Sequence, residues 1–235
     1  MDKINKFELE KPTLAVDVVI FGIKKGKVVT LLHERNKEPF VKAFALPGVA
    51  VRLDESLENA ARRALMEKTG LLSDDFGCIF LEQLAAFDAL YRDPRGRTVS
   101  VAYMGITVPE KIRINPDSDK IIWKPVSLIS KGTLPFDHNQ ILDTAIQRLS
   151  GKLKYTNIAK GFLPQDFRIE ALQEVYESIL KTKLNRSNFR NKLLKIGVIE
   201  QINVLNNAVG EKGGRPPHLY RFTHDLVTAL NRDFL

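Results

Sequence analysis

Cysteine is nearly missing from this chain: Cys78 stands alone among 235 residues. One cysteine excludes an intrachain disulfide and a thiolate zinc site. Its setting, "FGCIFLEQL", reads as a strand and predicts a buried structural thiol. No apolar run approaches the roughly 18 residues of a membrane span, and the opening "MDKINKFELEKP" lacks the apolar stretch of a signal peptide. These absences predict a cytoplasmic protein with no membrane partner. Histidine is also scarce. His33, His138, His218 and His224 are scattered without metal-ligand spacing, and no nucleophile–base pair is recognisable. No metal site and no catalytic residue are therefore assigned from the sequence.

Acidic charge is short in one half only. The net charge is +8. Residues 1–150 are almost balanced, with 22 Lys+Arg against 20 Asp+Glu, whereas residues 151–235 carry 14 against 8. A basic second half points to a polyanionic partner or to a merely solvated basic surface.

The first half reads as a strand-rich α+β unit. "TLAVDVVIFGI" (13–23) and "VVTLLHER" (28–35) are strands joined by the turn "KKGK". "FALPGVAV" (44–51) is extended, and strands are expected at 77–87, 98–108 and 119–126. A helix follows Ser56, a candidate cap. Leu57, Ala60, Ala61, Ala64, Leu65 and Met66 keep helical spacing, and Gly70 is its stop. A second helix (137–153) closes this unit. The expected division is 1–153 and 154–235.

In the second unit, Ile169, Leu172, Val175, Tyr176 and Leu180 share one face of a helix within 164–185. "RSNFRNKLLKIGV" (186–198) is a second helix, apolar at Phe189, Leu193, Leu194 and Ile196. Two strand-like ends then flank the basic tip "GEKGGRPPH" (210–218). Helix, turn, basic helix and hairpin is the order of a winged helix-turn-helix.

The stretch "LPGVAVRLDESLENAARRALMEKTGLL" (46–72) carries Gly48, Glu55, Arg63, Leu65, Glu67, Gly70 and Leu71. In these positions it resembles the Nudix hydrolase motif, with one extra residue between Gly48 and Glu55. In that motif positions 64 and 68 are glutamates; here they are Ala64 and Lys68. Carboxylates at i, i+3 and i+4 share one helix face and can hold a hard divalent cation. Of the trio 64, 67 and 68 only Glu67 remains. Lys68 puts an ammonium where the ion would sit, and it can pair with phosphate directly.

"RDPRGRTVSVAYMGI" (92–106), "FDH" (136–138), "RSNFRNKLLKIGVIE" (186–200) and "GGRPPHLYRF" (213–222) extend the likeness across the chain. The whole resembles the Nudix-related transcriptional regulators, the NrtR family. That resemblance implies a Nudix-like mixed-sheet sandwich followed by a C-terminal winged helix-turn-helix. It also implies a repressor of NAD-metabolism genes that ADP-ribose or a related nucleotide releases from DNA, with no cofactor required. An active ADP-ribose pyrophosphatase and a sugar-responsive regulator of the same architecture remain alternatives. The pyrophosphatase would draw on Asp54, Glu55 or Glu58 to replace the missing carboxylates.

Candidate effector contacts are Arg35, Phe44, Gly48, Arg63, Glu67, Lys68, Arg92, Arg95, Arg97 and His138. Arginine forks suit phosphates, although "RDPRGR" also fits an exposed basic turn. The family also pairs Arg63 with Glu55. Phe40 and Phe44 can stack an adenine or simply join the core. Asp137 fits the N-cap of the closing helix. Candidate DNA contacts on the second helix are Arg186, Ser187, Asn188, Arg190, Asn191 and Lys195, since Arg and Asn read base edges. Lys181 and Lys183 in the preceding turn suit phosphate, and Lys212 and Arg215 lie in the basic tip. A palindromic double-stranded operator and a homodimer follow from the winged-helix pattern.

Overall fold

The computed structural model describes residues 11–115, 120–202 and 218–230. Its first unit is a mixed sheet. β1 (Thr13–Lys24) turns at Lys25–Gly26 and returns as β2 (Lys27–Glu34). β3 (Phe44–Ala45) pairs with β2, and β4 (Gly48–Ala50) pairs with β1. β5 (Phe80–Phe87), β6 (Thr98–Ile106) and β7 (Ile121–Pro125) complete it. The order is β3-β2-β1-β6-β5, with β7 on β2. β1 and β6 run parallel, and the remaining pairs are antiparallel.

Alternation along the strands sorts side chains to two faces. Val16, Val18, Ile20 and Leu31 pack against α1 (Leu57–Thr69) through Ala60, Ala61, Ala64 and Leu65. Val19, Phe21 and Leu32 face α2 (His138–Tyr155), which contributes Ile141, Leu142, Ala145 and Leu149. Each fully buried large aliphatic side chain stabilises by about 1.5–3 kcal/mol. The small alanines let α1 lie close to the sheet.

The start and stop of α1 follow local signals. The Ser56 hydroxyl accepts from the Asn59 N–H at 3.2 Å. Gly70, at φ 64°, ends the helix and donates to the Met66 carbonyl. Met66 is not a core residue: it is 44% exposed, on the flank of the alanine stripe. The strand expected from residue 77 begins only at Phe80. Ser73–Cys78 form a 3-10 turn, so Cys78 is exposed rather than buried. The cause is Asp75, whose carboxylate accepts from the Arg113 backbone N–H and guanidinium and pins the turn.

In the second unit, α3 (Ile169–Leu180) buries Ile169, Leu172, Val175, Tyr176 and Ile179. Leu180 is only partly buried at the core margin. α4 (Arg186–Lys195) buries Phe189 and Leu193, and the Tyr176 and Phe189 rings meet edge to face at 5.1 Å. The Asn185 side chain caps α4 by accepting from the Asn188 N–H. β8 (Ile199–Ile202) and β9 (Leu219–Phe222) pair antiparallel, and Phe167 bridges to Tyr220. This is the helix-turn-helix and hairpin of a winged helix. Its tip, with Lys212 and Arg215, lies outside the described residues.

The two units share one core. Leu172, Val175 and Tyr176 belong to the same apolar cluster as Phe21, Leu32 and Ile141. The Val28 N–H also donates to the Ser178 hydroxyl at 2.9 Å, joining β2 to α3. Among the described residues no helix is long and apolar enough to cross a membrane.

Candidate functional site

An open cleft of about 1140 Å³ lies where β1, the end of β2, β4, α1 and the 92–98 segment meet. Its floor is a buried charge network. Asp17 projects from β1 and accepts from the Ser100 hydroxyl at 2.7 Å and from Arg92 at 3.0 Å. Arg92 also donates twice to Asp137, at 2.8 and 2.6 Å. His138 Nε2 lies 3.4 Å from Asp17, while its Nδ1 accepts from the Leu46 N–H. Burial alone would raise the Asp17 pKa; His138, Ser100 and Arg92 outweigh it and hold the carboxyl at about 2.

This network corrects two sequence expectations. Arg92 lines the cleft, but its side chain is 4% exposed and its donors are engaged by two carboxylates. It organises the floor and is not a free phosphate fork. Asp137 stands at the N-cap of α2 but makes no capping hydrogen bond, because its carboxylate turns to Arg92. Gly48 is fixed by close approach: a Cβ there would sit 2.2 Å from Asp17 Oδ1.

One wall is α1, the helix that carries the Nudix-like pattern. Arg63 donates to both oxygens of Glu55, to the Ala50 carbonyl at 2.8 Å and to Glu67 at 3.1 Å. The Glu55 carboxyl is held down at about 2, first by the Arg63 hydrogen bonds and then by the Arg52 N–H. Glu67 accepts a further contact from Arg52 at 3.3 Å. The last carboxylate of the metal trio is thus flanked by two guanidinium groups. Ala64 is fully buried. Among the described residues, no group of three or more His, Cys, Asp or Glu side chains is placed to hold a metal ion. This donor set does not fit the divalent cation of a Nudix hydrolase.

Lys68 differs from the arginines. It is half-buried on the cleft wall, and among the described residues no hydrogen bond or ion pair engages its ammonium. Beside it, on the same sheet face as Leu31, is His33. His33 is 4% exposed and its Nδ1 has no partner among the described residues. Burial first, then the charges of Lys68 and Arg35, lower its pKa to about 4, so the ring is neutral at pH 7. A neutral donor–acceptor beside an unengaged ammonium suits an anionic oxygen.

The remaining candidates are placed as follows. Arg35 donates to the Pro39 and Lys37 carbonyls, Arg95 binds Asp93 through two donors, and Arg97 donates to the Asp88 carbonyl. All three line the cleft, together with Glu67, Gly48 and His138. Phe44 does not: it packs against the sheet core, with the Lys120 ammonium 5.6 Å from its ring. Phe136, passed over in the sequence, does line it.

On the second unit, Arg186, Ser187, Asn188, Asn191 and Lys195 are exposed on α4, and Arg190 is half-exposed. Arg190 donates to Asn191 Oδ1 at 3.2 and 2.9 Å, so the two form one polar surface. Arg186 pairs with Glu170, and Lys183 with Glu177. Arg186 and Lys183 keep their guanidinium or ammonium ends in solvent, where an ion pair is weak and a phosphate can compete for it. Lys181 is exposed at the end of α3.

Comparison with known proteins sets these two sites in a family. Residues 11–146 match the NUDIX domain, and residues 160–222 match the NrtR DNA-binding winged helix domain. Over 223 residues the chain is 34% identical to the ADPR responsive transcriptional repressor NtrR of Acinetobacter baylyi, spanning 92% of this chain and 84% of that one. The chain belongs to the Nudix-related transcriptional regulators, the NrtR family. As a member it superimposes on Shewanella oneidensis NrtR complexed with a 27mer DNA at a TM-score of 0.76 and 28% identity, covering 94% of this chain and 99% of that one. The NUDIX domain of Shewanella oneidensis NrtR complexed with ADP ribose aligns at a TM-score of 0.52 and 31% identity, over 60% of this chain and 90% of that one.

For this NrtR-family chain, the cleft residues missed in the sequence include Asp17, His33, Arg52 and Phe136. Two carried a readable signal. Asp17 is the lone charge in the apolar run "TLAVDVVIF", and His33 interrupts the apolar run "VVTLLHER". A polar group inside a buried strand must have a partner or a purpose.

Proposed function

We propose that this protein is a DNA-binding transcriptional repressor whose Nudix-like cleft binds ADP-ribose or a closely related nucleotide, and that binding releases the DNA. The observation that carries the reading is Lys68: an ammonium that no described residue engages stands at a metal-ligand position of the motif, while Arg63 and Arg52 flank Glu67. Such a site holds a pyrophosphate without polarising it for attack, since cleavage needs a metal-activated water. The family's link to NAD metabolism makes those genes the expected targets.

α4 enters the major groove, with Arg190 and Asn191 at base edges and Lys181, Lys183 and Lys195 near phosphates. Two copies read the halves of a palindrome, in the cytoplasm, with no cofactor beyond the effector. ADP-ribose dissociates the complex only if it prefers the conformation that does not fit the operator.

Fluorescence anisotropy with a labelled operator fragment, with and without ADP-ribose, tests this, with the nucleotide assayed for cleavage in parallel. Selective DNA binding that is lost on adding intact ADP-ribose is the expected result. Cleavage of ADP-ribose without selective DNA binding would sink the reading.

A further inference from the structure

The connection between the two units is built unlike an ordinary linker. α2 starts at the effector cleft, where Asp137 accepts from Arg92 and His138 Nδ1 accepts from the Leu46 N–H. It runs for 18 residues, about 27 Å at 1.5 Å per residue, and ends at Tyr155. Connecting segments normally lie on the surface, where water satisfies their polar groups. Here Thr156 and Asn157, the first residues after α2, are buried, and Asn157 is 1% exposed.

Their partner is the segment that leaves the wing strand β9. Residues 224–230 return from the wing and lie along the connection. Thr156 and Ala229 form an antiparallel bridge. On one side of it the Asn157 N–H donates to the Thr228 carbonyl at 3.2 Å, and on the other the Leu230 N–H donates to the Tyr155 carbonyl at 2.7 Å. The Asn157 side chain uses both ends of its amide. Nδ2 donates to the Leu226 carbonyl at 3.0 Å, and Oδ1 accepts from the Thr228 N–H at 2.6 Å. Lys160 adds an outer clasp, donating to the His224 and Asp225 carbonyls at 3.0 and 2.8 Å. Val227 and Leu230 pack against the shared core. A buried amide bonded at both ends to backbone fixes the register, since a slip leaves buried polar groups unpaired.

We propose that Asn157 is a positioning residue that ties the wing to the end of α2, so that a shift of α2 in the effector cleft reaches DNA through the wing. This rests on the reading that ADP-ribose releases the DNA. A helix bonded along its length moves as a unit, and rigid elements of this kind carry coupling between distant sites. Operator anisotropy at zero and saturating ADP-ribose, with calorimetry for ADP-ribose affinity, tests it on the full chain. Asn157→Ala is expected to keep ADP-ribose affinity at the wild-type value and to cut the ADP-ribose-induced change in operator affinity by about threefold or more, a sizeable part of a typical coupling. Lys160→Met removes only the outer clasp and is expected to cut that change about twofold; it decides the matter where Asn157→Ala does not fold. An unchanged response in folded Asn157→Ala, or a loss of ADP-ribose affinity that matches the loss of response, overturns the proposal while the functional reading stands. Wild-type protein that binds the operator and is not released by ADP-ribose overturns both.

Discussion

The backbone N–H of Val28 donates to the Ser178 hydroxyl, 150 residues further along the chain. Val28 and His33 lie on the same strand, so one rigid element touches the effector cleft at one end and α3 at the other. α3 packs directly against the reading helix through Tyr176 and Phe189. Effector binding and DNA binding therefore have a short mechanical route between them.

Ser178→Ala is expected to leave ADP-ribose affinity unchanged and operator affinity without effector within about threefold. The lost bond is worth on the order of 1 kcal/mol. The fold-change in operator affinity that ADP-ribose causes should shrink, because the coupling itself is typically only about 1–3 kcal/mol. Anisotropy titrations at zero and saturating ADP-ribose measure it. An unchanged response would place the coupling elsewhere.

Lys68→Ala is expected to weaken ADP-ribose by about tenfold or more, the scale of a charge-assisted hydrogen bond. Lys68→Glu should abolish binding and still bring no magnesium-dependent cleavage, because Arg63 and Arg52 remain on Glu67. Calorimetry with a phosphate-release assay distinguishes these outcomes, and cleavage by Lys68→Glu alone would count against the explanation.

Two buried groups set the acid sensitivity of the fold. The unfolded His33 ring binds a proton near pH 6.5, but the folded ring only near pH 4. Its contribution to stability is therefore full above pH 6.5 and is lost as pH falls toward 4, a change on the order of 3 kcal/mol. Asp17 is depressed from 3.8 to about 2, so its contribution is full above pH 4 and is lost between 4 and 2. Urea denaturation across pH 7 to 3 should show falling stability, and His33→Gln should flatten the upper part of that curve. An unflattened curve would remove His33 as the cause.

Arg190→Ala is expected to weaken operator binding about tenfold, since a bidentate base contact is worth roughly 1–3 kcal/mol, while ADP-ribose affinity stays at the wild-type value. Paired anisotropy and calorimetry test it. Equal loss of both would mean that the two sites are not separate.

Periodicity and punctuation made most of the fold legible in the sequence. Ser56, the alanine stripe and Gly70 delimit α1 within a residue, and the apolar face of α3 is read correctly apart from Leu180 at its margin. Residues 73–78 escaped because a distant ion pair, Asp75 with Arg113, decides between turn and strand there. The cleft was legible as a set of residue types but not as a set of roles. A sequence shows Arg92, Arg95 and Arg97 as three equal cations. Only the fold reveals that Asp17, Asp137, Asp93 and a carbonyl already engage them, and that among the described residues none engages the Lys68 ammonium. Phe44 and Phe136 likewise look alike until β3 turns one of them into the core.

The full burial of Ala64 limits what this helix can be changed into. A carboxylate introduced at position 64 would enter a packed apolar layer beside Val16 and Leu31, far from water and without a cation to meet it. A second at position 68 would face a Glu67 already claimed by two arginines. Neither change gains anything until the other is present and Arg52 has withdrawn. Restoring the carboxylate pattern of the Nudix motif on this helix therefore takes coordinated changes at 64, 68 and 52, not a single substitution.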